Sequence, residues 1–264
     1  MGFWQTIRQT ISWRSASAVE DLVDPCFWRV DMHSHLVPGI DDGVKDEEQA
    51  LACLKQLAAW GIQKVITTPH VSRDWYPTES ATLRAAQATL QALAAENDLP
   101  LQIEVAAEYL LDEFFPALLT DDDLLTFGSA RYLLFEVGWA AAPRQLDDLL
   151  FRMQTRGYTP VLAHPERYSF YFDDQATLAQ LHEKGCLFQL NWASLTGRYG
   201  ERAQAQARFL LKKGWVDFIG SDMHRPNDLN SLSALFSSSD YELLRKQPLL
   251  NESLLKTNTL QPEQ

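Results

Sequence analysis

An α/β fold built on parallel strands is what this sequence predicts, and three observations predict it. Apolar, β-rich runs alternate with helix-period runs seven times over. The strand candidates are apolar throughout, so they are either covered on both faces or curled into a barrel. Side chains able to bind metal fall at the ends of these runs, which is where barrels of this class build their active face.

The elements follow in order. "FWRVDMH" (27–33) is the first strand, and "DEEQALACLKQLAAWG" is an amphipathic helix ended by Gly61. "QKVITTPH" (63–70) is the second strand, with an Ala-rich helix over 78–97. "LQIEVAAE" (101–108) is the third, followed by a short helical piece near 113–118. "RYLLFEV" (131–137) leads to a helix over 144–156, and "TPVLAH" (159–164) to one over 175–184. "CLFQLN" (186–191) leads to a helix over 200–213, and "VDFIGSDMH" (216–224) to a short helical tail. Each strand–helix–strand unit implies a parallel pair with a crossover helix.

The totals agree with one such domain. The 264 residues suit a single α/β barrel, and 46% apolar residues supply a sizeable core. We place the domain at 26–250, with an N-terminal extension at 1–25 and a C-terminal tail at 251–264. A net charge of −12 with no Lys/Arg cluster argues against nucleic-acid binding. No apolar run nears the roughly 18 residues a membrane helix needs, so no stable membrane insertion is expected. The first residues lack the apolar centre of a secretory signal. Gly2 and Thr6 match a short acylation pattern that is often fortuitous, and Trp4, Ile7 and Ile11 read as one face of a short amphipathic helix. Cys26, Cys53 and Cys186 are far apart and form no CxxC, which fits a reducing cytoplasm and buried apolar roles.

The unusual residues sit at the strand ends. His33 and His35 end the first strand, His70 the second, Glu108 the third, Glu136 the fourth and His164 the fifth. Asn191 ends the sixth, and Asp222 and His224 close the seventh. Asp42 belongs to "DMHSHLVPGIDDG". Five of the chain's six histidines fall at these ends; the sixth, His182, lies in a predicted helix and reads as an ordinary histidine. Singly, each has a bland explanation: HxH is a weak signal and "DD" before Gly43 fits turn chemistry. Together they do not, since a lone carboxylate such as Glu136 in an apolar strand is costly. Imidazole and carboxylate donors suit manganese, iron or zinc. Nine candidate ligands are too many for one ion and are used sensibly by three. Four carboxylates against three divalent ions leave a net positive site, a natural trap for a phosphate dianion.

These segments, with "VITTPH", "AAEYLLD", "LLFEVG", "VLAHPERY", "QLNWASLTGRYG" and "FIGSDMH", resemble the polymerase-and-histidinol-phosphatase (PHP) superfamily of metal phosphoesterases. Within it the resemblance is to the bacterial capsule-type (CpsB/YwqE) protein-tyrosine phosphatases. That resemblance implies a distorted (β/α)7, TIM-like barrel holding three divalent ions, manganese first, with iron, zinc or magnesium as alternatives. It implies His33, His35, Glu108 and Asp222 on the first ion; Asp42, His70 and His224 on the second; Glu108, Glu136 and His164 on the third. A histidine is frequent at the Asp42 position in the wider superfamily, and aspartate marks the capsule-type branch. Arg167 corresponds to a phosphate-binding arginine. The family commonly carries an arginine a few residues past the last DxH; here Arg225 directly follows His224, and Arg225 or Arg73 is the candidate replacement. Arg198 stands where relatives carry a lysine.

The activity so implied is hydrolysis of phosphotyrosine on the tail of a bacterial tyrosine autokinase, linked to capsule and exopolysaccharide synthesis. A hydroxide generated on the metals would attack phosphorus in line, with Arg167 and Arg225 neutralising charge and His70 or a bound water as proton donor. There is no CxxxxxR loop of a cysteine-dependent phosphatase. Trp75 and Tyr76 are candidates to stack on the substrate ring, or else pack on the body. Three alternatives stay open: a histidinol-phosphate or other small-molecule phosphatase, an amidohydrolase barrel, and a metal-binding regulator without catalysis. The oligomeric state is not legible.

Overall fold

The structure, a computed structural model, describes residues 25–255. The expectations for Gly2, Thr6, Trp4, Ile7 and Ile11 lie outside the described residues. Among the described residues nine short parallel strands, in two hydrogen-bonded stretches of sheet, and the helices between them form a mixed α/β fold.

Strand β1 (Val30–Asp31) pairs with β2 (Lys64–Thr67), and β2 with β4 (Gln102–Val105). A second stretch of sheet runs β3 (His70–Val71), β5 (Glu108–Leu110), β6 (Tyr132–Glu136), β7 (Thr159–Ala163), β8 (Leu187–Asn191) and β9 (Phe218–Gly220). The single strand expected over 63–70 is therefore broken into β2 and β3, and the one over 101–108 into β4 and β5. Pro69 lacks an N–H for the ladder, and Thr67 and Thr68 turn aside to bond Ser34. Pairing survives the break, since Ala106 N donates to Thr67 O (2.9 Å) and Glu108 N to Pro69 O (3.0 Å).

The first strand is shorter than expected. Arg29 is left-handed (φ 58°) and closes a turn onto Cys26. Beyond Asp31 the chain bonds instead to the last run: Asp222 N donates to His33 O (2.8 Å) and His35 N to Met223 O (2.9 Å). At the other end of that seam, Asn251 takes the place of a strand. Its Nδ2 donates to Val30 O (2.8 Å) and Ile219 O (2.7 Å), and Ile219 N donates to its Oδ1 (3.0 Å). Asn251, Leu254 and Leu255 thus pack against the sheet.

Helices α1 (Glu47–Ala59), α2 (Ser80–Glu96), α3 (Phe115–Asp121), α4 (Leu146–Thr155), α5 (Gln175–Glu183), α6 (Trp192–Leu195) and α7 (Glu201–Lys213) cover the outside. The short α8 (Leu229–Ser233) and α9 (Ser239–Leu244) follow β9. Their starts obey capping chemistry: Asp46 and Asp174 accept from Gln49 N and Thr177 N. Period-two alternation sorts the sheet into two cores. On β6, Leu134 joins the inner cluster with Val30, Met32, Val161 and Phe218, while Leu133 and Phe135 face the helices. Glu136 is two residues beyond Leu134, so the same alternation sets it on the inner side, at the mouth.

Candidate metal centre

Two glycines allow the first histidines to close in. A Cβ at Gly220 would stand 2.6 Å from His33 Cβ, and one at Gly43 2.3 Å from His35 O. Both positions therefore need a residue with no side chain. Two ligand candidates sit on strained backbone: His164 (φ 36°) and Asp222 (φ 51°) are left-handed. Such conformations cost on the order of 1–3 kcal/mol each in a non-glycine residue and cluster at functional sites.

All nine expected ligands converge at the C-terminal mouth of the sheet. His33 Nε2 lies 3.3 Å from His35 Nε2, 3.1 Å from Glu108 Oε2 and 3.5 Å from Asp222 Oδ1. His35 Nε2 is 3.4 Å from each of those two oxygens. Donors around an ion at roughly 2.0–2.2 Å stand roughly 3.3–3.6 Å apart when tetrahedral, so His33, His35 and Glu108 fit one ion, with Asp222 Oδ1 close to both histidines. A second group joins Asp42, His70, His224 and His35. Asp42 Oδ1 is 3.7 Å from His70 Nε2 and 3.5 Å from His224 Nε2. A third joins His70 Nδ1 to Glu136 Oε1 (3.1 Å) and Glu108 Oε2 (3.2 Å), with His164 Nε2 3.0 Å from Glu108 Oε1. Glu108 is common to the first and third groups. His70 spans the second and third, with one ring nitrogen toward each.

The donors fit metal ions on three counts. The set is all imidazole and carboxylate, which suits manganese, iron or zinc. His70 Nδ1 is buried and makes no hydrogen bond despite its acidic neighbours. The electrostatics also call for cations. Burial pushes the Glu108 and Asp222 carboxyls up, yet the histidines around them, His33 foremost, hold both well below the usual range. Burial disfavours a charged His35, yet its bonds to Asp222, Asp41 and Glu108 raise it well above an ordinary imidazole. Both shifts say that this pocket is stabilised by positive charge at its centre.

An outer layer aims the ligands. His35 Nδ1 donates to Asp41 Oδ2 (2.7 Å), His33 Nδ1 to Gln189 Oε1 (2.7 Å) and His224 Nδ1 to Asp222 O (2.9 Å). Each bond leaves Nε2 as the free donor atom. The buried Asp41 side chain also accepts from His70 N (3.0 Å) and Gly43 N (2.9 Å). Asn191 Nδ2 donates to Asp222 Oδ2 (2.6 Å) and its Oδ1 accepts from Gln189. Asp41 and Gln189 were missed from sequence. For Gln189 the signal is its spacing two residues before Asn191, on one strand face.

Above the donors lies a cavity of about 650 Å³. Arg167 Nη1 donates to Asp222 Oδ2 at 2.7 Å, and its guanidinium lies between Trp139 (4.8 Å) and Tyr199 (4.2 Å). Trp139 also stacks on His164, 5.7 Å away and 9° from parallel. Arg225 lines the cavity, and so does Arg198, whose guanidinium pairs with Asp228 and donates to Ser231 (3.1 Å). Asp228 Oδ2 in turn accepts from His224 N (3.0 Å) and Arg225 N (3.1 Å). Arg73 lies 4.0 Å over the Phe114 ring and lines a neighbouring groove, not this cavity. Tyr76 stacks on His70 (5.4 Å, 16°), while Trp75 is 77% exposed at the rim. His182 stands apart, 3.4 Å from Asp217 and stacked on Trp215. Cys26, Cys53 and Cys186 are buried free thiols away from the cavity; burial pushes Cys53 up to about 12.

The sequence matches the family described as "Capsular polysaccharide synthesis, CpsB/CapC" over residues 29–231. It is 30% identical over 201 residues to the tyrosine-protein phosphatase YwqE of Bacillus subtilis, covering 76% of this chain and 79% of that one. It is 29% identical over 202 residues to the tyrosine-protein phosphatase CpsB of Streptococcus pneumoniae, covering 74% and 82%. Among solved structures, one from the work on YwqE and CpsB, described as unique metal-dependent tyrosine phosphatases, superposes with a TM-score of 0.71 at 28% identity. That match covers 83% of this chain and 96% of the other.

Proposed function

The chain belongs to the CpsB/CapC family, and on that premise we propose that it is a metal-dependent protein-tyrosine phosphatase. The observation that carries the reading is the convergence of nine donor side chains beneath a cavity walled by Arg167 and Arg225. His33, His35, Glu108 and Asp222 would hold one ion, Asp42, His70 and His224 a second, and Glu108, Glu136 and His164 a third, with manganese as the expected metal. Ions held there would supply the Lewis acidity that activates water and neutralises phosphoryl charge.

The chain's own groups do the rest. Arg167 spends one N–H on Asp222 and has others to offer a phosphate oxygen. Arg225, its turn fixed through Asp228, is the second clamp. Arg198 acts through Asp228 as well and is assigned to holding that turn. Both nitrogens of His70 face carboxylates, so it serves as a ligand and not as the proton donor. Tyrosinate needs little help as a leaving group, since its conjugate acid has a pKa near ~10. Tyr76 and Trp75 stand where a substrate ring would enter.

Counting β2 with β3 and β4 with β5, the parallel runs support a distorted (β/α)7 barrel, with the catalytic domain over 26–255. The partner class is the phosphotyrosine tail of a bacterial tyrosine kinase, and the setting capsule or exopolysaccharide synthesis in the cytoplasm. Among the described residues no helix is long and apolar enough to cross a membrane.

The test is phosphate release from a phosphotyrosine peptide and from histidinol phosphate, side by side, with added Mn²⁺ and after chelation, with His164→Ala as control. Metal-dependent preference for the peptide is expected. Preference for histidinol phosphate would move the function to small-molecule chemistry, and silence on both with metals bound would remove catalysis altogether.

A further inference from the structure

The ligand rung His70↔Glu108 has a neighbour. The next rung of the same parallel ladder is Val71↔Tyr109, and successive strand residues face opposite sides of a sheet. While His70 and Glu108 face the metal cavity, Val71 and Tyr109 help line a separate groove of about 530 Å³ just over the rim. Leu83 from α2, Phe114 and Leu118 at α3, and Leu124 complete its apolar wall. Ser72 lines both spaces, at the tight Ser72–Tyr76 hairpin closed by reciprocal backbone bonds of 3.1 and 3.0 Å. Trp75 and Tyr76 line the metal cavity, and Arg73 and Pro77 line the groove.

We propose that this groove is a subsite for an uncharged apolar or aromatic side chain of the substrate peptide, close in sequence to the phosphotyrosine. The inference rests on the tyrosine-phosphatase reading. It commits to this occupant because the groove adjoins the cavity across one hairpin, with Ser72 lining both. A peptide whose phosphotyrosine fills the cavity must leave over the rim, and each extended residue advances about 3.3 Å. A side chain one to three residues away therefore reaches the groove. The charges select its type. Glu79, Asp121 and Asp123 edge the groove, Asp123 is taken by Arg84, and Arg73 is spread over the Phe114 ring. An acidic side chain would meet like charge there, and an apolar one would cover Phe114, Leu118 and Leu124.

The test uses two labelled phosphotyrosine peptides that differ only in Leu or Asp two residues from the phosphotyrosine, plus p-nitrophenyl phosphate. The Mn²⁺-loaded full chain is compared with Ala117→Arg and Ala81→Arg, two exposed groove positions on different helices. The wild type should favour the Leu peptide by roughly 10-fold or more in kcat/KM, the scale at which an apolar pocket discriminates. Both variants should lose that preference and keep their activity on p-nitrophenyl phosphate. No preference in the wild type, or preference kept by both variants, overturns the subsite. If one variant also loses p-nitrophenyl phosphate turnover, the other decides. If the wild type turns over none of the three, the phosphatase reading falls. Binding of the two peptides by fluorescence anisotropy then decides the groove separately: tighter Leu binding supports it and equal binding overturns it.

Discussion

Arg167 and Asp222 hold each other at 2.7 Å in the wall between the metal donors and the cavity. The bond uses Asp222 Oδ2, while Oδ1 stands 3.4–3.5 Å from His35 and His33. One carboxylate thus turns one oxygen to the two histidines and the other to the arginine of the cavity wall.

Substitutions at the two ends of that bond should separate. Arg167→Ala should retain its metals and lose roughly 10²–10³-fold in kcat/KM, as when one transition-state donor is removed. Asp222→Asn should lose metal as well as turnover. Metal content per chain, read beside the kinetics, distinguishes them; equal metal loss in both would break the division of labour.

Gly220→Ala should displace His33, because the new methyl would lie 2.6 Å from His33 Cβ and 3.0 Å from Gln189 Nε2. Gly138→Ala, whose Cβ would meet only Ala141 O at 3.8 Å, is the matched control. The first should fold but bind Mn²⁺ poorly, and the control should bind normally, both read by calorimetry.

The outer layer is open to the same measurement. Asp41→Ala and Gln189→Ala remove acceptors that fix the His35 and His33 rings. Each should weaken metal affinity by roughly 10–100-fold, the usual cost of losing such a partner. Added Mn²⁺ should restore much of the activity; failure of high metal to rescue either variant would mean they act on something other than ligand orientation.

Thiol reagents should be harmless. Burial pushes the Cys53 thiol up to about 12 and the Cys186 thiol higher still, so both are protonated, and weakly nucleophilic, at neutral pH. Iodoacetamide at pH 7.5 should leave turnover intact while a chelator abolishes it. Inactivation by the alkylating agent alone would contradict a metal mechanism.

Much of this was legible in the sequence, for physical reasons. The helix-period runs found their helices within a few residues, because an amphipathic stripe depends on local spacing. The candidate donors stood out because histidines and acids are rare at the ends of apolar strands. What failed depends on contacts distant in sequence. Asp41 and Asp42 are chemically identical neighbours, and only the fold of their loop buries one side chain and leaves the other half exposed. Arg198 pairs with Asp228, thirty residues on, a contact that no local pattern announces. Arg73 was drawn away by an aromatic ring, Phe114. The break within the second run follows in part from the bonds of Thr67 and Thr68 to Ser34, which no local pattern announces.

The seam joining the first and last runs also orders events in time. His33 and His35 leave the ribosome early, but Asp222, which completes their donor set, emerges near the end of the described chain, and Asn251 later still. During synthesis the early histidines wait beside an open edge. The donor group around His33 and His35 is completed only once Asp222 has been made, so an ion held there would be acquired after the intervening strands, and a chain truncated before Asp222 would be both unclosed and short of that carboxylate.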